Sequence, residues 1–466
     1  MTQIRTTDIA PSGAARTAAV VAVACAGQFM VVLDVSVVNV ALPAMRSGLG
    51  FAASGLQWVV IAYSLALAGF LLLGGRMADL FGRRRVFVLG LVLFSLASLV
   101  GGAAPTPGTL IAARAVQGLG AAVLAPASLT ILTTSLTDAH VRARALATWS
   151  AVSAAGGAAG NLVGGVLTEF LSWRWTLLIN LPIGIVVAVA ALRCLAESHG
   201  ADGARRLDVP GALLATLGPA AITYAIGQAP QHGWTAAGTL VPLAVGVLAL
   251  AAFLLVQARW AAAPLMPLRV FRSRALSAGN ALFLLLGAAF MAMWYFLSLY
   301  MQNVLGYTAL QTGVGFVPHT LAIIAGSRLA PRLMARIGTR ALIMVASVLG
   351  AAGFGWQSLV TPDSSYVMGM LLPGIAMCGA LGLLMAPVVA TVTNAVDTAD
   401  AGLASGLLNA VRQVGGAIGL AVLTTLAGRH AVSVVALGAG YVRTFLACAV
   451  LMLAVAGCAL LLPRRR

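Results

Sequence analysis

Charge is what this sequence has least of. Only 8% of its 466 residues are charged and 61% are apolar, whereas a soluble domain carries roughly a quarter charged residues. A soluble globular fold is excluded. Lysine is missing altogether, so all 28 basic residues are arginine. A phosphate-binding G-x-x-x-x-G-K-[ST] loop needs that lysine, so this chain carries no ATPase of that kind. H-E-x-x-H and G-x-S-x-G are absent too, which argues against a membrane-embedded hydrolase, and no enzyme is expected. The five cysteines, Cys25, Cys194, Cys378, Cys448 and Cys458, are scattered with neither metal nor redox spacing. They read as small apolar packing residues, and no metal site or cofactor is expected.

What the chain has instead is length without charge. Fourteen windows read as membrane-spanning helices: 17–41, 55–75, 86–104, 108–135, 144–168, 175–195, 209–228, 236–257, 275–301, 309–330, 340–359, 366–393, 402–428 and 441–462. About 20 residues at 1.5 Å rise cross the hydrocarbon core. A β-barrel would alternate apolar and polar residues in short segments, and these windows do not. The fold class is therefore an all-α polytopic membrane protein. Residues 1–16 are polar and the first apolar run is long enough to span, so no cleavable signal peptide is expected. Assigning the arginines to alternate sides puts 22 on the face that carries both termini and four on the other, with Arg114 and Arg412 inside spans. By the positive-inside rule both termini are cytoplasmic. The net charge of +17 is then spread over short loops facing anionic lipid, and no nucleic-acid partner is expected.

The chain also repeats itself. Gly156-Gly157-Ala158-Ala159-Gly160 returns as Gly415-Gly416-Ala417-Ile418-Gly419, Asp138 falls onto Asp397 at the same offset, and Gly82 pairs with Gly338. The simple account is two six-helix bundles, 1–200 and 263–466, with two helices inserted in 201–262. Parallel repeats of this kind build transporters that rock about a midplane site.

Intramembrane charge is costly and marks function. Of eleven acidic residues only Asp34 lies well inside a span; the others fall in loops, at span ends or in the terminal tails. Proton coupling needs a group that is ionised in one state and protonated in another. A carboxylate that alternately meets and leaves an arginine meets that need. Asp34 is the candidate by elimination, with Arg114 as partner; a purely structural pair is the plainer alternative. Arg412 and Gln413 sit near a midplane with no deep acid in their half. A cavity, a substrate anion, or a structural hub to Asn394 or Asn409 would each account for them. Trp294, Tyr295 and Tyr300, with Trp58, Tyr63 and Gln117, complete the candidate substrate-cavity residues, although aromatics at such positions are also ordinary packing residues.

Several stretches carry a resemblance. The loop GGRMADLFGRRR at 74–85, with Gly75, Asp79, Gly82, Arg83 and Arg84, resembles the signature loop of the major facilitator superfamily. Its mate PRLMARIGTR at 331–340 has Ala335 where the aspartate would be. RAVQG at 114–118 resembles the family's proton-transfer arginine motif. GGAAGNLVGG, with Gly156, Gly160, Gly164 and Gly165, is similar to the antiporter motif, except that Asn161 stands where that motif has proline. LDVSVVNVALP at 33–43 and SWRWTLLINLPIG at 172–184 resemble the fourteen-helix drug:proton antiporter branch. Trp173 and Trp175 otherwise read as an interfacial belt. The resemblance implies the major facilitator fold, and a loop that latches the two halves in the outward-facing state. It also implies proton transfer through Asp34 and Arg114.

The expected function is proton-driven export of drugs, antibiotics or other amphipathic small molecules across a bacterial cytoplasmic membrane, by a monomer that uses the proton gradient alone. One deep carboxylate favours neutral, monocationic or zwitterionic substrates over multivalent cations. A proton-coupled importer or facilitator of a small metabolite on the same fold is the alternative. A non-transporting sensor comes last, since no extra domain is seen.

Overall fold

The computed structural model describes residues 13–52, 55–136, 138–198, 207–261, 264–361, 364–393, 396, 401–427 and 434–462, and no strand occurs among them. Among the described residues fourteen helices are long and apolar enough to cross a membrane. The first six are α1 (Gly13–Leu49), α2 (Trp58–Phe81), α3 (Arg83–Gly102), α4 (Pro107–Ser135), α5 (Ala139–Phe170) and α6 (Trp175–Cys194). Two follow, α7 (Val209–His232) and α8 (Ala237–Trp260). The last six are α9 (Arg274–Asn303), α10 (Ala309–Ile337), α11 (Thr339–Gln357), α12 (Val367–Thr393), α13 (Ala401–Ala427) and α14 (Val434–Ala459). Below, the near end is the one where α1 begins, and the far end is the one where it finishes.

Local chemistry explains the boundaries. Between α3 and α4 the turn is set by Thr106, whose hydroxyl accepts from the Thr109 amide at 3.3 Å, with Pro107 in the first helical position. Asp138 opens α5 the same way, accepting from His140 N and Val141 N. Gly82 stands at φ 100°, a conformation open to glycine, and lets α2 turn sharply into α3.

Two sequence expectations change. The first window was drawn to residue 41, but α1 continues to Leu49 through Pro43, because Ala41, Leu42 and Met45 are all fully buried. Trp173 does not lie on the surface as a belt residue would. It is 7% exposed, lies against Gly48, and carries the Arg174 guanidinium 4.5 Å over its ring, whereas Trp175 is 46% exposed. Arg174 in turn donates to the carbonyls of Gly102 and Ala104 at 2.9 and 2.8 Å, closing the C-terminus of α3.

The glycine motifs serve as close-packing seams. A Cβ at Gly160 would lie 2.6 Å from Ser36 Cβ and 2.8 Å from the Leu33 carbonyl, so α5 rests directly on α1. The recurring glycines Gly415 and Gly419 bring α13 onto Leu284 and Ala288 of α9 in the same manner. α7 lies against both α2 and α13. Thr216 fills the space over Gly69, Tyr224 meets Trp58 at 6.2 Å between centroids, and Thr425 donates to the Ile226 carbonyl at 3.3 Å. α8 packs on α7 through Gly218 and Gly246.

The two ends of the bundle differ. At the far end one apolar core runs through both six-helix groups. Its first-group members come from that end alone: Val38 to Met45 of α1, Leu56 to Leu65, Leu110 and Leu177. Ser298 and Gln302 of α9 donate to the carbonyls of Asn39 and Val40 at 2.7 and 2.9 Å, and Thr424 of α13 bonds Gln57. Toward the near end the first group has its own core, which takes only Ala410 from the second.

Candidate functional site

Asp34 projects from α1 into the interior of the first six helices and is fully buried. Its Oδ2 meets Arg114 Nη1 of α4 at 2.6 Å. Its Oδ1 accepts from Gln117 Nε2 at 2.7 Å and from Asn180 Nδ2 of α6 at 2.9 Å. Arg114 is held on every side. Nε donates to the Val59 carbonyl at 3.1 Å, Nη1 also reaches Gln117 Oε1 at 2.6 Å, and the Tyr63 ring lies 4.4 Å from its guanidinium carbon. Ser98 of α3 accepts from both Gln117 and Asn180. A buried carboxylate and guanidinium are tolerable here because each charge meets the other and further hydrogen-bond partners, since an uncompensated charge at this depth is costly.

Asn180 and Ser98 were not singled out from the sequence. Single neutral polar residues in apolar helices are common, and the only available signal was that Asn180 belongs to the SWRWTLLINLPIG stretch. Arg114 stands out as a charge inside a span, and Gln117 through the likeness of R-x-x-Q-G to the family motif.

The glycine stripe bears directly on this pair. Gly156, Gly160 and Gly164 contact Phe29, Leu33 and Val37 of α1, the turns on either side of Asp34. Gly165 and Asn161 lie at a different seam, against Ala309 and Gly313 of α10. Asn161 is 3% exposed, and α5 runs unbroken through it, because asparagine keeps the amide that proline would remove.

At the near end the signature loop is bound within its own half. Asp79 is half exposed and pairs with Arg83 at 3.1 Å. Glu197, just beyond α6, accepts from the backbone amides of Arg84 and Arg85 at 3.1 and 3.3 Å and faces both guanidinium groups at 3.7 and 3.6 Å. Glu197 therefore supplies the N-terminal cap that Gly82 cannot give α3. The sequence placed it only as a loop acid. Gly75 lies against Pro126 of α4.

A cavity of about 180 Å³ lies between the two six-helix groups. Val35 and Asn39 of α1, Ser64 of α2, Trp294 of α9, and Arg412 and Gln413 of α13 are among its lining residues. Arg412 Nη2 donates to Asn409 Oδ1 at 2.8 Å; Asn394, the other amide considered, lies outside the described residues. Four candidates sit elsewhere. Tyr63 covers Arg114, Tyr295 and Tyr300 pack edge-on to Phe296 and Tyr441, and Trp58 meets Tyr224 of α7. Gln117 belongs to the Asp34 cluster and Asn409 to Arg412. Asp34 itself is not on the wall, although its neighbour Val35 is. Two faces of α1, about 100° apart, thus meet two environments, the sealed ion pair behind and the cavity in front.

Comparison with known proteins agrees with this architecture. The chain is 52% identical to the cephamycin export protein of Amycolatopsis lactamdurans, across 94% of this chain and 91% of that one. It is 44% identical to the puromycin resistance protein of Streptomyces alboniger, over 86% and 80%. It is 34% identical to the methylenomycin A resistance protein of Streptomyces coelicolor, over 85% and 83%. Among solved structures it superposes on a POT family peptide transporter with a TM-score of 0.69, covering 97% of each chain at 13% identity. A D-xylose-proton symporter gives 0.66 over 93% and 96%, also at 13% identity. The profile of the Major Facilitator Superfamily matches residues 24–420. With fourteen membrane helices and a cavity between two six-helix groups, the chain belongs to the major facilitator superfamily.

Proposed function

We propose that this protein exports antibiotics or other amphipathic small molecules across the bacterial cytoplasmic membrane in exchange for protons. The observation that carries the coupling is the buried Asp34–Arg114 pair at 2.6 Å, one residue along α1 from the cavity wall. Export follows from the names of the relatives, which are an export protein and two resistance proteins. Protonation of Asp34 releases Arg114 and loosens the grip of α4 and α6 on α1. Because α1 also supplies Val35 and Asn39 to the cavity and Asn39 to the far-end closure, the change reaches the substrate path through one helix.

With both termini cytoplasmic, the closed far end faces outward and the structure is a cytoplasm-facing state. Asp79 supports that reading, since it is half exposed and paired within its own loop rather than latched across the halves. The cavity is below the roughly 300 Å³ of common drug-sized pockets, so cargo is admitted as the halves separate. Ion pair and cavity are complete within one chain, which suits a monomer.

Everted membrane vesicles supply the test. An imposed proton gradient drives accumulation of a fluorescent amphipathic dye, and collapsing the gradient releases it. Full gradient-driven uptake by Asp34→Asn would sink the proton-site assignment, and downhill uptake indifferent to the gradient would favour a facilitator.

A further inference from the structure

Arg412 lines the cavity, and among the described residues no acid pairs with it. Among the described residues of α9 to α14 there is no aspartate or glutamate at all. The acids just before α13 lie at least twelve residues from Arg412 in sequence. Asp34 is committed to Arg114, Gln117 and Asn180. The contact that Arg412 makes is with the neutral Asn409 amide. That leaves guanidinium donors facing the cavity beside the Gln413 amide.

The backbone that carries Arg412 is fixed. A Cβ at Gly287 of α9 would strike the Arg412 carbonyl, and Gly415 and Gly416 seat the next turn against Leu284 and Met291. The guanidinium is thus presented from a rigid seam, which is how a specific polar contact is held ready. Apart from Asn39 and Ser64 the rest of the wall is apolar and aromatic, with Phe290, Met291 and Trp294 from α9 and Leu381 and Met385 from α12. A flat fork of donors over an apolar chamber matches a carboxylate on an apolar body, because guanidinium and carboxylate pair in two parallel hydrogen bonds.

Resting on the export reading above, we propose that Arg412 is a specificity-determining residue that selects substrates bearing a carboxylate on an apolar or aromatic body. This shifts the sequence expectation: a zwitterionic cargo fits through its carboxylate, a simple anion joins it, and a simple monocation is disfavoured by the same guanidinium.

The test is equilibrium binding to the full chain in lipid nanodiscs without any gradient. It uses dansyl-phenylalanine and its amide, which differ only in the carboxylate, and reads dansyl fluorescence. The expected result is about tenfold or more tighter binding of the acid than the amide. In Arg412→Gln the acid-to-amide ratio falls to near one, and in Arg412→Lys a smaller preference persists, because a point charge attracts the carboxylate without the fork. Unfolding midpoints of both variants confirm that they are folded. Equal binding of acid and amide by the wild-type chain overturns the proposal, and so does an acid preference that survives Arg412→Gln. Since no gradient is present, failure of proton coupling in the vesicle assay leaves this result standing, and the reverse holds as well.

Discussion

Ser298 donates its hydroxyl to the Asn39 carbonyl at 2.7 Å, and that carbonyl is free because Pro43, four residues on, has no N–H to offer it. The proline that looks like a defect in α1 creates the acceptor that ties α1 to α9. The two residues are 259 apart in sequence, so the tie joins the first six-helix group to the second.

Removing either side of this arrangement weakens the far-end closure, but not independently. Ser298→Ala strands a buried carbonyl at a cost of about 1–3 kcal/mol. Pro43→Ala gives that carbonyl an intrahelical donor, so the cost of Ser298→Ala shrinks in its presence. The expected coupling is about 1 kcal/mol or more. Spin labels at the exposed positions Ser47 and Leu359 read it as the share of molecules with the far ends apart. Additive effects of the two substitutions rule the arrangement out.

The Asp34–Arg114 pair separates stability from coupling. Asp34→Leu alone leaves a buried guanidinium without a counter-charge and lowers stability by about 3–5 kcal/mol, seen as an earlier unfolding midpoint. Asp34→Leu with Arg114→Met removes both charges and recovers most of that loss, yet gradient-driven uptake stays absent. Uptake that returns with the midpoint means that the pair is structural only.

At the near end Glu197 matters more than Asp79 in this state. Glu197→Ala removes the acceptor of two backbone amides and the counter-charge of two arginines, and a loss of about 1–2 kcal/mol is expected. Asp79→Ala breaks one half-exposed pair and costs no more than about 0.5 kcal/mol. Thermal unfolding of the purified protein ranks them, and the opposite order contradicts the capping role.

Neighbouring glycines on α5 should differ sharply. A Cβ at Gly160 meets Ser36 at 2.6 Å, whereas one at Gly157 finds its nearest atom at 3.8 Å. Gly160→Ala pushes α5 off α1 and costs about 1–3 kcal/mol with loss of transport. Gly157→Ala is tolerated in both assays. Equal sensitivity would show that the stripe acts through something other than its contact with α1.

Fourteen helices and the one deep carboxylate could be read from the sequence because charge is so scarce that each exception stands out. Cavity residues were harder to read because chain neighbours on a helix point about 100° apart. On α9 the wall takes Leu286, Gly287, Phe290, Met291 and Trp294, while Tyr295 and Tyr300 fall roughly 100° or more from the centre of that stripe. Aromatic type marks them in the sequence, and their phase places them at the sides of that stripe, packed on Phe296 and Tyr441. Glu197 and Asn180 were hidden for a different reason, since each acts on a residue more than a hundred positions away and nothing local marks it.

The inserted helix α7 carries a consequence for how such a molecule can open. It is fastened to α2 by Trp58 and Gly69 and to α13 by Thr425, so it spans the line where the two bundles meet. A strap on one side of a cleft turns symmetric parting into the swing of a door. The strapped side becomes the spine, and travel concentrates on the opposite edge, where Asn161 and Gly165 of α5 rest on Gly313 and Ala309 of α10.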